Sequence, residues 1–417
     1  VTSTLATAAR PNEFVKGWRV VVAGALGTMC GITAVPTFSL GAFVQPLSEE
    51  FGWGRAEIIA AAGLCSITVA LIAPFVGAGV DRYGARRVAL LSILGIALGL
   101  ALVPLLAASL IGFYAAFVLM TVLGAGTSPI TWTRTVNSWF DRHRGLALGF
   151  TLMGTGIFSA LGPAYVNWAI GAFGWRGGYL ALALVPLVVA LPFAWLWFRE
   201  AHAGEMTSPQ QALAAQRGVS VREAMGSYKF WVIGVGFFFV SLSVAGMIGN
   251  MFPLLTDGGF TREQAAATAG LIGIAIIVGR VGVGFLIDRF WAPGVGAIVI
   301  ALPAIACYIL AGGQLTPTSA AIAAILIGLA AGAEFDLVAY LTVRYFGLKN
   351  YGKIYAYLFG ALIGGSAFGG VGFAAAFDTT GSYDIALWSA LVIYLVCALS
   401  LLTLGRYASS ADEKVHA

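Results

Sequence analysis

The sequence predicts an all-α membrane protein with twelve transmembrane helices in two pseudo-symmetric six-helix bundles. Three observations carry this. Of 417 residues, 59% are hydrophobic and only 10% charged, whereas a soluble domain carries roughly 25% charged residues. Apolar runs of the about 20 residues needed to cross a bilayer recur from near the start of the chain to near its end. The two halves also match each other at the offset that places Asp81 on Asp288, a spacing of 207 residues.

Each predicted helix is an apolar run bounded by charge. The runs fall at 18–44, 58–80, 87–108, 111–139, 145–170, 176–198, 229–255, 265–287, 292–313, 317–345, 351–376 and 382–405. No cleavable leader is evident, and the run from Trp18 is long enough to act as a retained signal anchor. Abundant Ala and 55 glycines suit close helix packing in lipid. The polar stretch from Arg199 to Tyr228, with a short helix expected around Gln210–Gln216, divides the chain. It separates an N-terminal bundle (1–198), a connecting loop (199–228) and a C-terminal bundle (229–417).

The loops differ in charge. Most of the 23 basic residues lie on one side, including Arg82, Arg86, Arg87, Arg142, Arg289, Lys349 and Lys353. The other side carries mainly acids, among them Glu49, Glu50, Asp257 and Asp378. An excess of Lys and Arg marks cytoplasmic loops. Both termini are therefore expected in the cytoplasm of a multi-pass protein, and the short loops suit a cell (inner) membrane. A net charge of +5 calls for no nucleic acid.

Several chemistries find no support. Cys30, Cys65, Cys307 and Cys397 lie inside apolar runs and form no CxxC pair, so neither a disulfide nor a metal site is expected. His143, His202 and His416 fall in loops or in the tail. The stretch from Gly360 to Gly370 reads as a close-packing helix surface, because no Walker pattern accompanies it. Neither an enzyme nor a cofactor is expected.

The repeat has several parts. "QPLSEEFGWGRAE" matches "FPLLTDGGFTREQ", placing Pro46 on Pro253, and "GAGVDRYG" matches "GFLIDRFW", placing Gly77 on Gly284. "VNSWFDRHRG" loosely matches "VRYFGLKNYG". Repeats of this kind imply two bundles related by an axis along the membrane normal, with the substrate near the midplane between them.

Arg280 is the most informative residue. It lies in "GIAIIVGRVGVGF", with no other charge within a helical turn. A guanidinium stays ionised, and an intramembrane charge marks a functional site by default. Its simplest use is to hold an anion. The competing reading is an ion pair that staples two helices. Glu334 and Asp336, on the tenth run at similar depth, make either possible. Two residues apart on a helix, they point about 200° from each other, so one is expected to face a central cavity. That carboxyl would pair with Arg280 when the site is empty and take a proton when substrate binds, giving proton–anion symport. Arg134, nearer the end of the fourth run, either snorkels to headgroups, makes a second cationic contact or forms an inner gate. Tyr355, Tyr357, Tyr340 and Asn250, with Thr33, Ser39, Trp132 and Asn137 from the first half, are candidates to complete a carboxylate pocket.

"GAGVDRYGARRV" (Gly77 to Val88) resembles the loop signature between the second and third helices of the major facilitator superfamily. The resemblance implies that fold, and an inward gate built on Asp81, Arg82 and Arg86, with Asp288, Arg289 and Arg134 as further gate candidates. "GAFVQPLSEEFGWGRAEI", "NSWFDRHRGLALG" and an arginine eight residues before the eighth-span aspartate resemble the monocarboxylate transporter and oxalate–formate antiporter branch. Members of that branch use the arginine matching Arg280 for a substrate carboxylate. The chain departs from the branch at Leu358, where the oxalate–formate exchanger has a lysine, and at Ile276, where animal carriers have an aspartate. No charge occurs between Arg19 and Glu49, so the first-span lysine of the animal carriers is missing too. One carboxylate, held by one fixed cation, is therefore the expected cargo.

The expected protein is a monomeric secondary active transporter of a small organic monocarboxylate, working with protons in the lipid bilayer. Carboxylate exchange and organic-anion efflux are the alternatives within transport. A non-transporting receptor is a remote one, since the tail after Arg406 is short.

Overall fold

This computed structural model of the chain describes residues 13–201, 218–312, 315–405 and 407. The helix expected around Gln210–Gln216 lies outside the described residues. Among those described, the chain folds into sixteen α-helices and a single isolated β-bridge between Gly218 and Gly347.

Ten helical runs are long and apolar enough to cross a membrane. Two further features bring the crossings to twelve. The run Arg144–Trp197 is 54 residues long and turns at Gly174 (φ 69°, ψ 174°), a backbone state open chiefly to glycine, so it serves as two crossings. The first crossing is broken, which hydropathy does not reveal. It consists of α1 (Glu13–Met29) and α2 (Val35–Phe51). At the break the chain presses backbone against backbone: a Cβ at Gly31 would meet the Thr127 carbonyl oxygen at 2.6 Å, and the Ile32 N–H donates to Thr127 Oγ1 at 2.9 Å.

The remaining helices of the first half are α3 (Arg55–Tyr83), α4 (Ala85–Leu106), α5 (Leu110–Gly124), α6 (Pro129–Trp139), α7 (Arg144–Leu152), α8 (Gly154–Val185) and α9 (Leu191–Trp197). Helices α5 and α6 are one crossing interrupted at 125–128, because Pro129 removes a donor and pushes Ser128 into an extended state (φ −67°, ψ 162°). The second half contains α10 (Val221–Gly226), α11 (Tyr228–Asp257), α12 (Arg262–Arg289), α13 (Ala292–Ala311), α14 (Pro317–Phe346), α15 (Tyr351–Thr380) and α16 (Asp384–Leu402). At the end remote from the chain termini, Arg176 grips Glu50 with two bonds of 2.6 and 3.0 Å. Arg176, and then the Trp175 indole, hold the Glu50 carboxyl below its usual range.

Within each half the helices pack on one another, and the halves meet along two seams, α3 on α15 and α7 on α12. In the second half α15 also packs on α11, and α12 on α14. Glycine permits the closest approaches. A Cβ at Gly77 would collide with the Gly352 carbonyl oxygen, and one at Gly284 with that of Gly145.

Candidate functional site

The two seams close at the same level by the same device. Asp81, at the end of α3, accepts the backbone N–H groups of Gly352 (3.0 Å) and Lys353 (2.9 Å) in the first turn of α15. Asp288, at the end of α12, accepts those of Gly145 (2.7 Å) and Leu146 (2.9 Å) in the first turn of α7. The first-turn donors of a helix lack intrahelical acceptors, and the positive end of the helix dipole favours an anion there. Fourteen residues back along the same faces, at Gly63 and Gly270, a Cβ would enter open space. The halves thus touch closely at the end rich in Lys and Arg, and the same helix faces are open at glycines about 21 Å further along.

Arg134 joins the first seam. Its Nη1 donates to Asp81 (2.7 Å) and to the Leu348 carbonyl oxygen (2.8 Å) across the halves, and its Nε lies 3.6 Å from Glu200. Of its possible roles, this is a seam contact rather than a headgroup contact. Arg82, Arg86 and Arg289 are placed differently. Arg82 lies over its neighbour Tyr83, and Arg289 lies over Phe285 of its own helix. Arg86 donates to the Trp195 carbonyl within the first half. All three are exposed, and among the described residues these contacts lie within their own half. Arg82 and Arg289 each follow a capping aspartate by one residue, about 100° around the helix, and Arg86 lies on the next helix, α4.

Arg280 lies one turn deeper than Gly284. It is 3% exposed, because α12 is pressed between α7 and α14: a Cβ at Gly149 would meet the Arg280 carbonyl oxygen at 2.5 Å, and one at Gly332 its nitrogen at 3.0 Å. The guanidinium carbon lies 5.2 Å from the centre of the Phe335 ring. Its Nη1 is 3.6 Å from Asp336 Oδ1, beyond the about 2.7–2.9 Å of a charge-assisted hydrogen bond. Arg280 Nε and Nη1 and both Asp336 oxygens have no hydrogen-bond partner, although Asp336 is fully buried. Glu334, also buried, turns to Ser241 on α11, and its Oε1 has no partner. Tyr355 completes the group: it is fully buried, near enough to Arg280 and Asp336 to interact electrostatically, with an unpartnered hydroxyl.

The other pocket candidates lie elsewhere. Tyr357 is 40% exposed, about 200° around α15 from Tyr355. Asn250 donates its amide to the Gly246 and Gly370 carbonyls, fastening α11 to α15. The Tyr340 hydroxyl accepts from Arg344 at 2.9 Å. Trp132 donates to the Thr127 carbonyl, packs on Phe198 and fills the space opened by Gly27, so it is core of the first half. Ser39 bonds within its own helix, whereas Thr33 Oγ1 and both amide atoms of Asn137 are buried without partners.

Further seam residues were not legible as such in the sequence. The Tyr351 hydroxyl donates across the halves to Thr133 Oγ1 at 2.9 Å. Asp141 Oδ1 lies 3.2 Å from Arg144 and 3.9 Å from Arg344 of the other half. These charges resemble ordinary loop residues, and the available clue was the repeat, which places Gly145 beside Arg144 and Gly352 beside Tyr351 at equivalent positions.

A fold of two six-helix bundles meeting at symmetric seams, with a cation buried within an apolar helix long enough to cross a membrane, defines a secondary-transporter architecture. The family model of the Major Facilitator Superfamily matches residues 21–369, and the chain belongs to that family, whose members here are transporters and not enzymes. Monocarboxylate transporter 11 of Mus musculus is 27% identical over 281 residues, covering 66% of this chain and 61% of the relative. The chain thus matches less than two thirds of that relative's length. The oxalate:formate antiporter of Oxalobacter formigenes is 24% identical over 408 residues, covering 93% of this chain and 91% of the relative. Among solved structures, the human organic anion transporter MFSD10 (TETRAN) superimposes with a TM-score of 0.70 at 16% identity, over 94% of this chain and 100% of that one; it supports the fold alone.

Proposed function

We propose that this transporter carries a small organic monocarboxylate together with a proton, by alternating access of a site centred on Arg280. The reading rests chiefly on the loose Arg280–Asp336 pair. Two ions buried at several kcal/mol each need excellent geometry and further hydrogen bonds in return. This pair stands 3.6 Å apart, with unpartnered atoms on both members. A helix staple would close to hydrogen-bonding distance. A loose pair leaves the guanidinium fork free for an incoming carboxylate, which it binds through two parallel bonds. Tyr355 donates to the same carboxylate.

Asp336 is the coupling group in this reading. With cargo absent it balances Arg280. With cargo bound, two carboxylates share one guanidinium, and the proton taken up by Asp336 removes the repulsion. Glu334, turned to Ser241, is a second buried acid with a lesser part. The excess of Lys and Arg at the closed seam supports a cytoplasmic position for that end and for both termini. The protein would then be a monomer in the cell (inner) membrane, closed toward the cytoplasm, with bundles spanning 1–198 and 229–417 joined by 199–228.

Exchange of one carboxylate for another is the second reading, favoured by the match to an oxalate:formate antiporter. Proteoliposomes separate the two. Under symport, an imposed inward proton gradient drives accumulation of labelled lactate, pyruvate or benzoate. Under exchange, the gradient has no effect and internal carboxylate stimulates uptake.

A further inference from the structure

A column of buried hydroxyls leads from the Arg280–Asp336 pair to the closed seam. The Tyr355 and Tyr351 rings, one helical turn apart on α15, stack with centroids 5.2 Å apart and planes within 11°, and both are fully buried. The Tyr355 hydroxyl has no partner and lies near Asp336. The Tyr351 hydroxyl crosses the seam to Thr133 Oγ1, which in turn donates to the Pro129 carbonyl at 2.7 Å. Asn137, one turn beyond Thr133 and near Tyr351, is fully buried with both amide atoms unpartnered. Such atoms are hosts for a bridging water. The charged groups around the column are Arg280 from α12, Asp336 and Glu334 from α14, Arg134 from α6 and Arg144 from α7.

We infer that Tyr351 and Tyr355 form a proton relay that discharges Asp336 toward the Lys- and Arg-rich end. The inference rests on the coupling role of Asp336 proposed above. The protonated Asp336 gives its proton through a bridging water to the Tyr355 oxygen as that hydroxyl passes its own to a second water, since neither group has a direct hydrogen-bond partner. Tyr351 repeats the exchange and delivers a proton to water at the opened seam. Each hydroxyl ends as it began, and Asp336 ends as a carboxylate beside Arg280. While the seam is closed, the Tyr351 proton is committed to Thr133, and the path has no outlet. Separation of the halves breaks that bond, so proton release waits for the seam to open.

The test compares net proton-driven uptake with carboxylate exchange in proteoliposomes, using whichever of lactate, pyruvate and benzoate the wild-type protein takes up fastest. Exchange needs no discharge of Asp336. Tyr351→Phe keeps the ring stack and removes the hydroxyl. Net uptake should fall about tenfold, less than a positioned proton carrier usually contributes because water partly replaces it, with exchange within about twofold of wild type. Loss of both together would make Tyr351 only a seam contact and overturn the relay, as would loss of neither. Thr133→Val removes the same cross-seam bond but spares the Tyr351 hydroxyl; if it reproduces the Tyr351→Phe defect, the relay is also refuted. Wild-type net uptake should slow more in D2O than exchange does, and equal slowing would contradict the relay without any variant. Asp336→Asn separates the two proposals. If it still accumulates cargo on a proton gradient, the coupling reading falls and takes the relay with it. If it is uncoupled while Tyr351→Phe behaves as wild type, the relay alone falls.

Discussion

Asp81 and Asp288 lie 207 residues apart, and each caps the first turn of a helix in the other half of the molecule. Their acceptor roles fall on backbone groups that are also 207 apart: Gly352 and Lys353 for Asp81, Gly145 and Leu146 for Asp288. The internal repeat therefore survives as a repeated contact. Because each aspartate grips the opposite half, any separation of the halves at this end would break both caps.

The seam should open when a cap is lost. Asp81→Asn or Asp288→Asn weakens a helix-end contact worth about 1 kcal/mol, roughly a fivefold change in population. Distances between spin labels placed across the closed end should shift toward longer values in either variant. An unchanged distribution in both would show that the caps do not hold this end.

A side chain at the glycine contacts should act more strongly. Gly77→Ala and Gly284→Ala each drive a methyl into a carbonyl oxygen of the other half, a strain of about 1–3 kcal/mol. Cysteine cross-linking across the seam should lose efficiency in both, while thermal stability changes little if the protein settles in the other state. Undiminished cross-linking would count against tight closure at these glycines.

Arg280→Lys should weaken carboxylate binding even though the charge is kept. An ammonium cannot reproduce the planar fork, and losing a hydrogen bond between charged groups costs about 1.5–3 kcal/mol, or roughly 10- to 100-fold in affinity. Titration calorimetry on the purified protein reads this directly. Wild-type affinity would exclude a bidentate contact.

Residues assigned to packing should behave differently. Trp132→Ala opens a cavity in the first half at a cost of about 3–5 kcal/mol, so it should lower the thermal midpoint sharply. Tyr357→Phe, at an exposed site, should leave both stability and cargo affinity unchanged. A loss of affinity in Tyr357→Phe would return that residue to the site.

The crossings were legible because hydropathy records burial in lipid, and the repeat was legible because Asp81, Gly77 and their partners recur with fixed spacing. The breaks were harder to see. Gly31, Ile32 and Thr33 are as apolar as their surroundings, so the interruption between α1 and α2 leaves no hydropathy signal; only the contact with Thr127 explains it. In the site, residue type was a poor guide where helix phase decides. Tyr355 and Tyr357 look alike in sequence, and the same rotation that separates Glu334 from Asp336 puts Tyr355 beside Arg280 and Tyr357 on the surface. Arg82, Arg86 and Arg289 lie within five residues of the capping aspartates in sequence, yet are exposed. Arg144 and Arg344 read as ordinary loop charges because their shared partner, Asp141, is distant in sequence from Arg344.

The central claim is that Arg280 recognises a carboxylate and holds Asp336 only in its absence. Competition measures this most directly, with matched acids and amides (lactate against lactamide, benzoate against benzamide) binding to the same purified protein. The account predicts that one of the acids binds, that its amide does not compete, and that the acid's binding disappears in Arg280→Gln. Equal binding of acid and amide, or full acid affinity in Arg280→Gln, would contradict it.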